Sequence, residues 1–292
     1  MPNKVNLFVL GVQKCGTTSL ADLLNDHSQV FIPSIKETYF FNVDANFSKG
    51  FDWFSAEFYG VQKAQRAKWR GDATPFYLGS KEAIDRIAEY ADSDARFIVI
   101  LRDPVKRAVS AYQHMLRLGH ETLSLPEALK KEHERIEEAR AKNDRWWRFA
   151  YTKVGLYGEQ IAYAQTVLGA DRLLVLRQDE LRDTPNLQQK LSDFLDLSAP
   201  FPARAKTNSN AASMPRFKLL RNILTRPNAL KSLAQKILPR ELRTKIGVGL
   251  NKLNAKKVSR IEIEPELEQE MRALFAKDQV ALHEMGFSSH LD

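Results

Sequence analysis

Short apolar runs recur along the chain, and each stops at a residue that breaks the pattern. Residues 5–10 (VNLFVL) close on Gly11, residues 96–101 (RFIVIL) on Arg102, and residues 172–176 (RLLVL) on Arg177. Runs this short and this apolar predict strands buried on both faces. A briefer run at 30–32 predicts a further short strand. Between them, apolar residues return every three or four positions, which predicts helices over 18–25, 80–90, 155–168, 185–195 and 265–285. Residues 125–149 are charged and predict one more helix, with an aromatic end at Trp146, Trp147 and Phe149. Residues 42–71 are rich in aromatics but follow neither period, so they predict no element. Strands alternating with helices imply an α/β fold with a mostly parallel central sheet flanked by helices. Ligands of such sheets bind beyond the carboxyl ends of the strands.

Two segments stand at those ends. The first, Gly11-Val12-Gln13-Lys14-Cys15-Gly16-Thr17-Thr18, joins a strand to a helix in the frame of a P-loop. A nucleoside-triphosphate P-loop would place lysine directly after the second glycine. Here Thr17 and Thr18 follow Gly16, and the lysine stands inside the loop at position 14. Backbone amides at the helix start still suit an anion. Thr17, Thr18 and Ser19 add hydroxyls, and Lys14 adds a point charge. The second segment, Arg102-Asp103-Pro104, follows RFIVIL, with Pro104 suited to a first helical turn. Arg102 can clamp a phosphate with paired donors, and Ser110 lies two turns further on.

Charge changes the picture in one place. The net charge is +8, yet residues 215–260 hold thirteen Lys and Arg against one acid, Glu241, so the remainder is net acidic. The basic character therefore belongs to one segment and does not predict general nucleic-acid binding. Apolar positions from Phe217 to Leu238 recur at helical spacing, divided by Pro227 and Pro239. That predicts amphipathic helices whose basic face either is simply solvated, in a helical subdomain packed on the core, or engages an anionic acceptor or a peripheral membrane surface. No apolar run reaches the roughly 20 residues of a membrane span, no signal-peptide pattern opens the chain, and Cys15 is the single cysteine. These features predict a cytoplasmic protein. No His or Cys cluster suggests a metal site.

Four segments together resemble the sulfotransferases that use 3′-phosphoadenosine 5′-phosphosulfate (PAPS), and in particular the carbohydrate and heparan-sulfate type. They are LFVLGVQKCGTTSL (7–20), KETYFF (36–41), GDATPFYL (71–78) and FIVILRDPVKRAVSAYQHM (97–115). Weaker matches continue over 154–169, 173–185 and 190–197. The resemblance implies a single domain over 1–292 with a nucleotide-kinase-like core. That core would take in about 1–205 and the helix at 265–287, with a basic helical insertion at about 210–262. It implies PAPS as co-substrate, adenosine 3′,5′-bisphosphate as product, no metal, and a glycan or glycolipid acceptor. Lys14, Cys15, Gly16, Thr17, Thr18 and Ser19 would hold the 5′-phosphosulfate, and Arg102 and Ser110 the 3′-phosphate. Tyr157 matches a tyrosine that is cofactor-binding or structural. Lys14 would stabilise the leaving group and Glu37 would be the general base.

The chain departs from the pattern at three points. Carbohydrate members place a lysine in the segment matching 71–78, where this chain has Ala73. The catalytic histidine of small-molecule members has no placed counterpart. The glycine-rich 3′-phosphate loop is absent beyond residue 200, and 206–218 would substitute for it, through Lys206 or Arg216. His114 and His120 compete with Glu37 for the role of base, Asp72 is read as a hydrogen-bonding anchor, and Tyr39, Phe40, Phe41, Phe76 and Tyr77 are read by default as core, with flanking a sugar or purine as the alternative. Two other functions stay open from the residues alone: a P-loop kinase or NTPase, and a non-enzymatic basic module for acidic polymers or membranes.

Overall fold

The computed structural model describes residues 4–202 and 261–287, with the backbone of two short strands at 213–215 and 255–257. Lys206, Arg216 and the basic helices expected over 215–260 lie outside the described residues, apart from those two strands. The strands pair antiparallel, Ser213 opposite Lys257.

Five parallel strands form the sheet: β1 (Leu7–Gly11), β2 (Val30–Phe31), β3 (Trp69–Asp72), β4 (Arg96–Leu101) and β5 (Leu173–Arg177). Their order is β2-β3-β1-β4-β5. From β1 the chain crosses to one side for β2 and β3, then returns past β1 for β4 and β5. The strand order therefore reverses between β1 and β4, where crossover helices diverge and leave a crevice. Every residue of β1 is buried, as are Phe97 to Leu101 of β4. Helices cover both faces, so these two strands never meet water, and their unbroken apolar character follows.

The loop–helix joints have identifiable causes. Helix α1 (Thr17–Asp26) buries Leu20, Leu23 and Leu24 and starts at Gly16, whose φ of 101° is left-handed. A Cβ at Gly16 would stand 2.3 Å from Leu181 Cδ1, so glycine is required there for space as well as conformation. The 42–71 region resolves into α2 (Asp44–Phe47), α3 (Phe51–Tyr59), α4 (Gln62–Arg66) and then β3. Its aromatics pack on one another, with Phe40 stacked on Phe54 at 4.2 Å. Helix α5 (Lys81–Tyr90) is capped by the Ser80 side chain.

Helix α6 (Pro104–Leu118) has Pro104 in its first turn, and Asp103 Oδ1 accepts from the Lys106 amide at 2.7 Å. The single helix expected over 125–149 is instead two, α7 (Leu125–Lys130) and α8 (Glu132–Ala141), followed by a 3₁₀ turn at Trp146–Arg148. Helices α9 (Tyr157–Leu168) and α10 (Thr184–Leu195) flank β5, and α11 (Pro265–Glu284) packs on α9 and α6. Asp278 of α11 accepts from the amides of Tyr157 and Gly158, both at 2.8 Å, and so caps α9. No helix among the described residues is long and apolar enough to cross a membrane.

Candidate active site

The crevice between β1 and β4 is floored by the loop of residues 11–16 and the start of α1. Lys14 has a φ of 72°, and with Gly16 it gives the loop two left-handed positions. Such alternation turns successive amides toward one side and forms an anion nest. The Cys15 amide is used inside the loop, donating to Val12 O at 3.1 Å. The amides opening α1, by helix geometry, have no intrahelical acceptor. Thr18 and Ser19 are exposed there, whereas Thr17 is buried.

The second loop meets the first directly. Arg102 Nη1 donates to Lys14 O at 3.0 Å, a contact that follows from β1 and β4 being neighbours. Ser110, His114 and Arg117 are four and three residues apart on α6, so they share a face. Burial, then the charges of Arg117 and Arg102, lowers the Lys14 ammonium to about 8. Burial, with Lys14, Arg117 and His120 adding to it, lowers His114 to about 3, so its ring is neutral. Arg117 Nη2 donates to His114 Nδ1 at 3.2 Å. The crevice thus gathers three cationic side chains, Lys14, Arg102 and Arg117, with Glu37 in the field of Lys14.

Beneath these groups Tyr157 is fully buried. Its hydroxyl donates to Arg102 O at 3.0 Å and lies 3.9 Å from Cys15 Sγ. Tyr157 therefore braces the two loops against each other from below. Cys15 is likewise a core residue, its thiol pushed up by burial to about 11. Arg272 of α11 ties down the same turn, with Nη1 3.2 Å from Asp103 Oδ2.

Glu37 sits at the crevice wall with both oxygens engaged. Lys36 Nζ donates to Oε1 at 2.7 Å, and the Tyr39 hydroxyl donates to Oε2 at 2.7 Å. Burial and Glu37 hold the Tyr39 phenol well above its usual range, so it stays a donor. The segment is anchored by Asp72, which is wholly buried at the end of β3. Asp72 accepts from Thr38 Oγ1 at 2.6 Å, Tyr77 OH at 2.7 Å and Thr74 Oγ1 at 2.8 Å. Burial outweighs these bonds and lifts its carboxyl to about 6. Thr74 Oγ1 also accepts from the Tyr39 amide at 3.2 Å, holding Tyr39 at a φ of 52°. Where a lysine was missing at Ala73, the Lys36 ammonium lies 3.5 Å from the Ala73 carbonyl.

This geometry agrees with the family comparison. A model of the sulfotransferase domain matches residues 4–222. The chain belongs to the sulfotransferase domain family. Such a protein is a transferase enzyme, and the P-loop-like core expected from the sequence is the fold of its structural neighbour. A crystallised sulfotransferase from Alicyclobacillus acidocaldarius is similar over 99% of this chain and 97% of that one, with a TM-score of 0.66 and 26% identity. The membrane-associated sulfotransferase kil1 of Dictyostelium discoideum is 31% identical over 150 residues, 46% of this chain and 31% of that one. The bifunctional heparan sulfate N-deacetylase/N-sulfotransferase 1 of Xenopus tropicalis is 30% identical over 201 residues, 66% of this chain and 22% of that one. The matches to these two relatives thus span less than a third of their length.

Within this sulfotransferase, the structure brings Lys14 and Arg102 together, with Thr18 and Ser19 exposed at the start of α1, Glu37 in the field of Lys14, and Ser110 on the α6 face that carries His114 and Arg117. Arg216 lies outside the described residues. Sequence reasoning passed over Arg117, although its spacing from Ser110 and His114 marks a single helix face. It also passed over the Glu37–Tyr39 bond and the α11 contacts. Tyr39 and Phe76, expected by default to be core, form a wall with Trp147: the Tyr39 and Trp147 rings stack 5.9 Å apart at 9°, and Phe76 lies 5.3 Å from Trp147.

Proposed function

We propose that this enzyme transfers the sulfuryl group of PAPS to a hydroxyl or amine of a glycan or glycolipid, with Glu37 as general base. The observation that carries the reading is the crowding of Lys14, Arg102 and Arg117 around the nest at the start of α1. Three cations packed together in a partly buried crevice repel one another, and a nucleotide bearing two phosphate sites and a sulfate relieves that repulsion. The residues present therefore fit this co-substrate, which the family uses. Lys14 and the α1 amides would hold the phosphosulfate, and Arg102 with Ser110 the 3′-phosphate. Lys14 would offset charge developing on the bridging oxygen of the leaving nucleotide. Glu37 would take the acceptor's proton. In-line transfer of this kind asks the protein mainly for positioning and charge stabilisation. The acceptor class rests on the KETYFF segment and on relatives named for heparan sulfate.

Thermal stability measured with adenosine 3′,5′-bisphosphate and with ATP tests the reading. At about 100 times Kd, the bisphosphate should add about 2.7 kcal/mol, or roughly 5 °C or more in Tm. ATP at the same concentration should give a far smaller rise. Equal or stronger stabilisation by ATP would return the loop to the NTPase reading.

The pH dependence follows from Lys14. Its ammonium is lowered to about 8 in the free enzyme. A bound anion favours the charged form and raises that value, so binding takes up a proton above pH 8. Affinity for the bisphosphate should therefore rise from pH 6 to about 7 as its own phosphates complete their second ionisation, and then fall as pH rises through about 8. Titrations across pH 6–10 check this. In Lys14→Ala that limb should vanish, and its persistence would assign it to another group.

A further inference from the structure

Beside the Glu37 segment lies a second cleft, of about 290 Å³, between residues 42–44, the start of α5 and the turn after α8. Trp147 is one of its walls, and the same ring stacks on Tyr39, whose hydroxyl is bonded to Glu37. The cleft is thus one aromatic ring removed from the proposed base. We propose that it is an acceptor subsite for an uncharged sugar ring, an inference that rests on the sulfuryl-transfer reading above.

Charge argues first. The lining carries three arginines, Arg86, Arg140 and Arg145, against three carboxylates, Asp44, Glu82 and Asp144. Each guanidinium is already engaged. Arg86 pairs with Asp44 at 2.6 Å, Arg140 lies over the Trp146 ring at 4.8 Å, and Arg145 lies over the Tyr39 ring at 5.1 Å. A chain of sulfates and uronates would meet as much repulsion as attraction here, whereas a neutral ring meets neither.

Hydrogen-bonding capacity argues next. Asn42 lines the cleft, and both its Oδ1 and its Nδ2 are buried without a hydrogen-bond partner. An amide left so is costly, and its two halves need opposite partners. Turned toward the cleft, the amide would meet sugar hydroxyls, which both donate and accept and so can serve the two together, whereas a carboxylate can serve only the nitrogen. Asn143 adds a further amide to the lining. Trp146 and Trp147 also border the cleft, but their rings are already packed, Trp147 against Tyr39 and Phe76 and Trp146 beneath Arg140, so they bound the site rather than offer an open stacking face. The volume lies at the low end for small-molecule sites, which suits one ring rather than several.

Sulfate transfer from labelled PAPS to methyl β-lactoside and to a disaccharide of equal size bearing a uronic acid tests the subsite, with bisphosphate binding measured in parallel. The neutral disaccharide should be preferred at least tenfold in kcat/KM. Asn42→Ala should raise its KM about tenfold, with kcat and bisphosphate affinity unchanged. Asn143→Gly is a second variant that keeps the backbone at ease, since Asn143 has a φ of 52°. It should act the same way, several-fold in KM. Preference for the uronate, or an unchanged KM in both variants, would overturn the subsite while bisphosphate binding upholds the donor reading. Failure of the wild type to bind the bisphosphate would overturn the donor reading and the subsite with it.

Discussion

Lys14→Ala is expected to lower turnover by about 10²–10³-fold, the range seen when one preorganised group facing developing charge is removed, while the protein stays folded. The loop does not depend on the lysine side chain for its shape. It is held by backbone and core contacts: Arg102 to Lys14 O, the Cys15 amide to Val12 O, and Tyr157 beneath. The left-handed φ of 72° at position 14 strains any residue with a Cβ, so alanine neither relieves nor worsens it. Removing an ammonium that burial, Arg117 and Arg102 all disfavour should leave Tm unchanged or slightly raised. The loss should appear in kcat as well as in kcat/KM, because the charge opposed by Lys14 is greatest when the bond to the leaving oxygen breaks. Single-turnover and steady-state assays with labelled PAPS separate the two. A variant within a few-fold of wild type would transfer the stabilising role to Arg117 or Arg102, which crowd the same crevice.

What could be read in the sequence was what local spacing encodes. Strands β1, β4 and β5 are runs buried on both faces, so composition alone marks them. Arg102 stands immediately after one of those runs and Lys14 three residues past Gly11, the end of another, and the rule that sites lie at strand ends pointed to both. Strand β3 was missed because WRGD has no apolar run: its buried end is Asp72, placed there to hold Thr38, Thr74 and Tyr77 rather than to fill core. The break in the 125–149 helix was missed because Glu132, which belongs to a charged stretch, is buried and turns inward to accept from the amides of Thr152 and Lys153. Contacts between distant segments left no local trace. Asp278 caps a helix 121 residues away, and Trp147 completes a wall begun at Tyr39. Such pairs become visible only when the sheet order is known.

Glu37→Gln is expected to bind adenosine 3′,5′-bisphosphate normally and to lose turnover by about 10²–10⁴-fold, the usual worth of a positioned base. The substitution keeps the shape of the side chain and can keep both of its bonds. The amide oxygen would face Lys36, which can only donate, and the amide nitrogen would face the Tyr39 hydroxyl, which can turn to accept. The Asp72 anchor is untouched, so Thr38 and Tyr39 hold the segment as before. What glutamine cannot do is take a proton from the acceptor. Binding and turnover should be measured at pH 7, below the Lys14 limb, so that the two effects do not mix. Normal turnover would move the base to another group. His114 is a weak substitute in the free enzyme, because burial and its cationic neighbours hold the ring near pKa 3, far below the operating pH at which a base works best. A His114→Gln variant with near-normal turnover, beside a Glu37→Gln variant without it, would leave the proton with the Glu37 carboxylate.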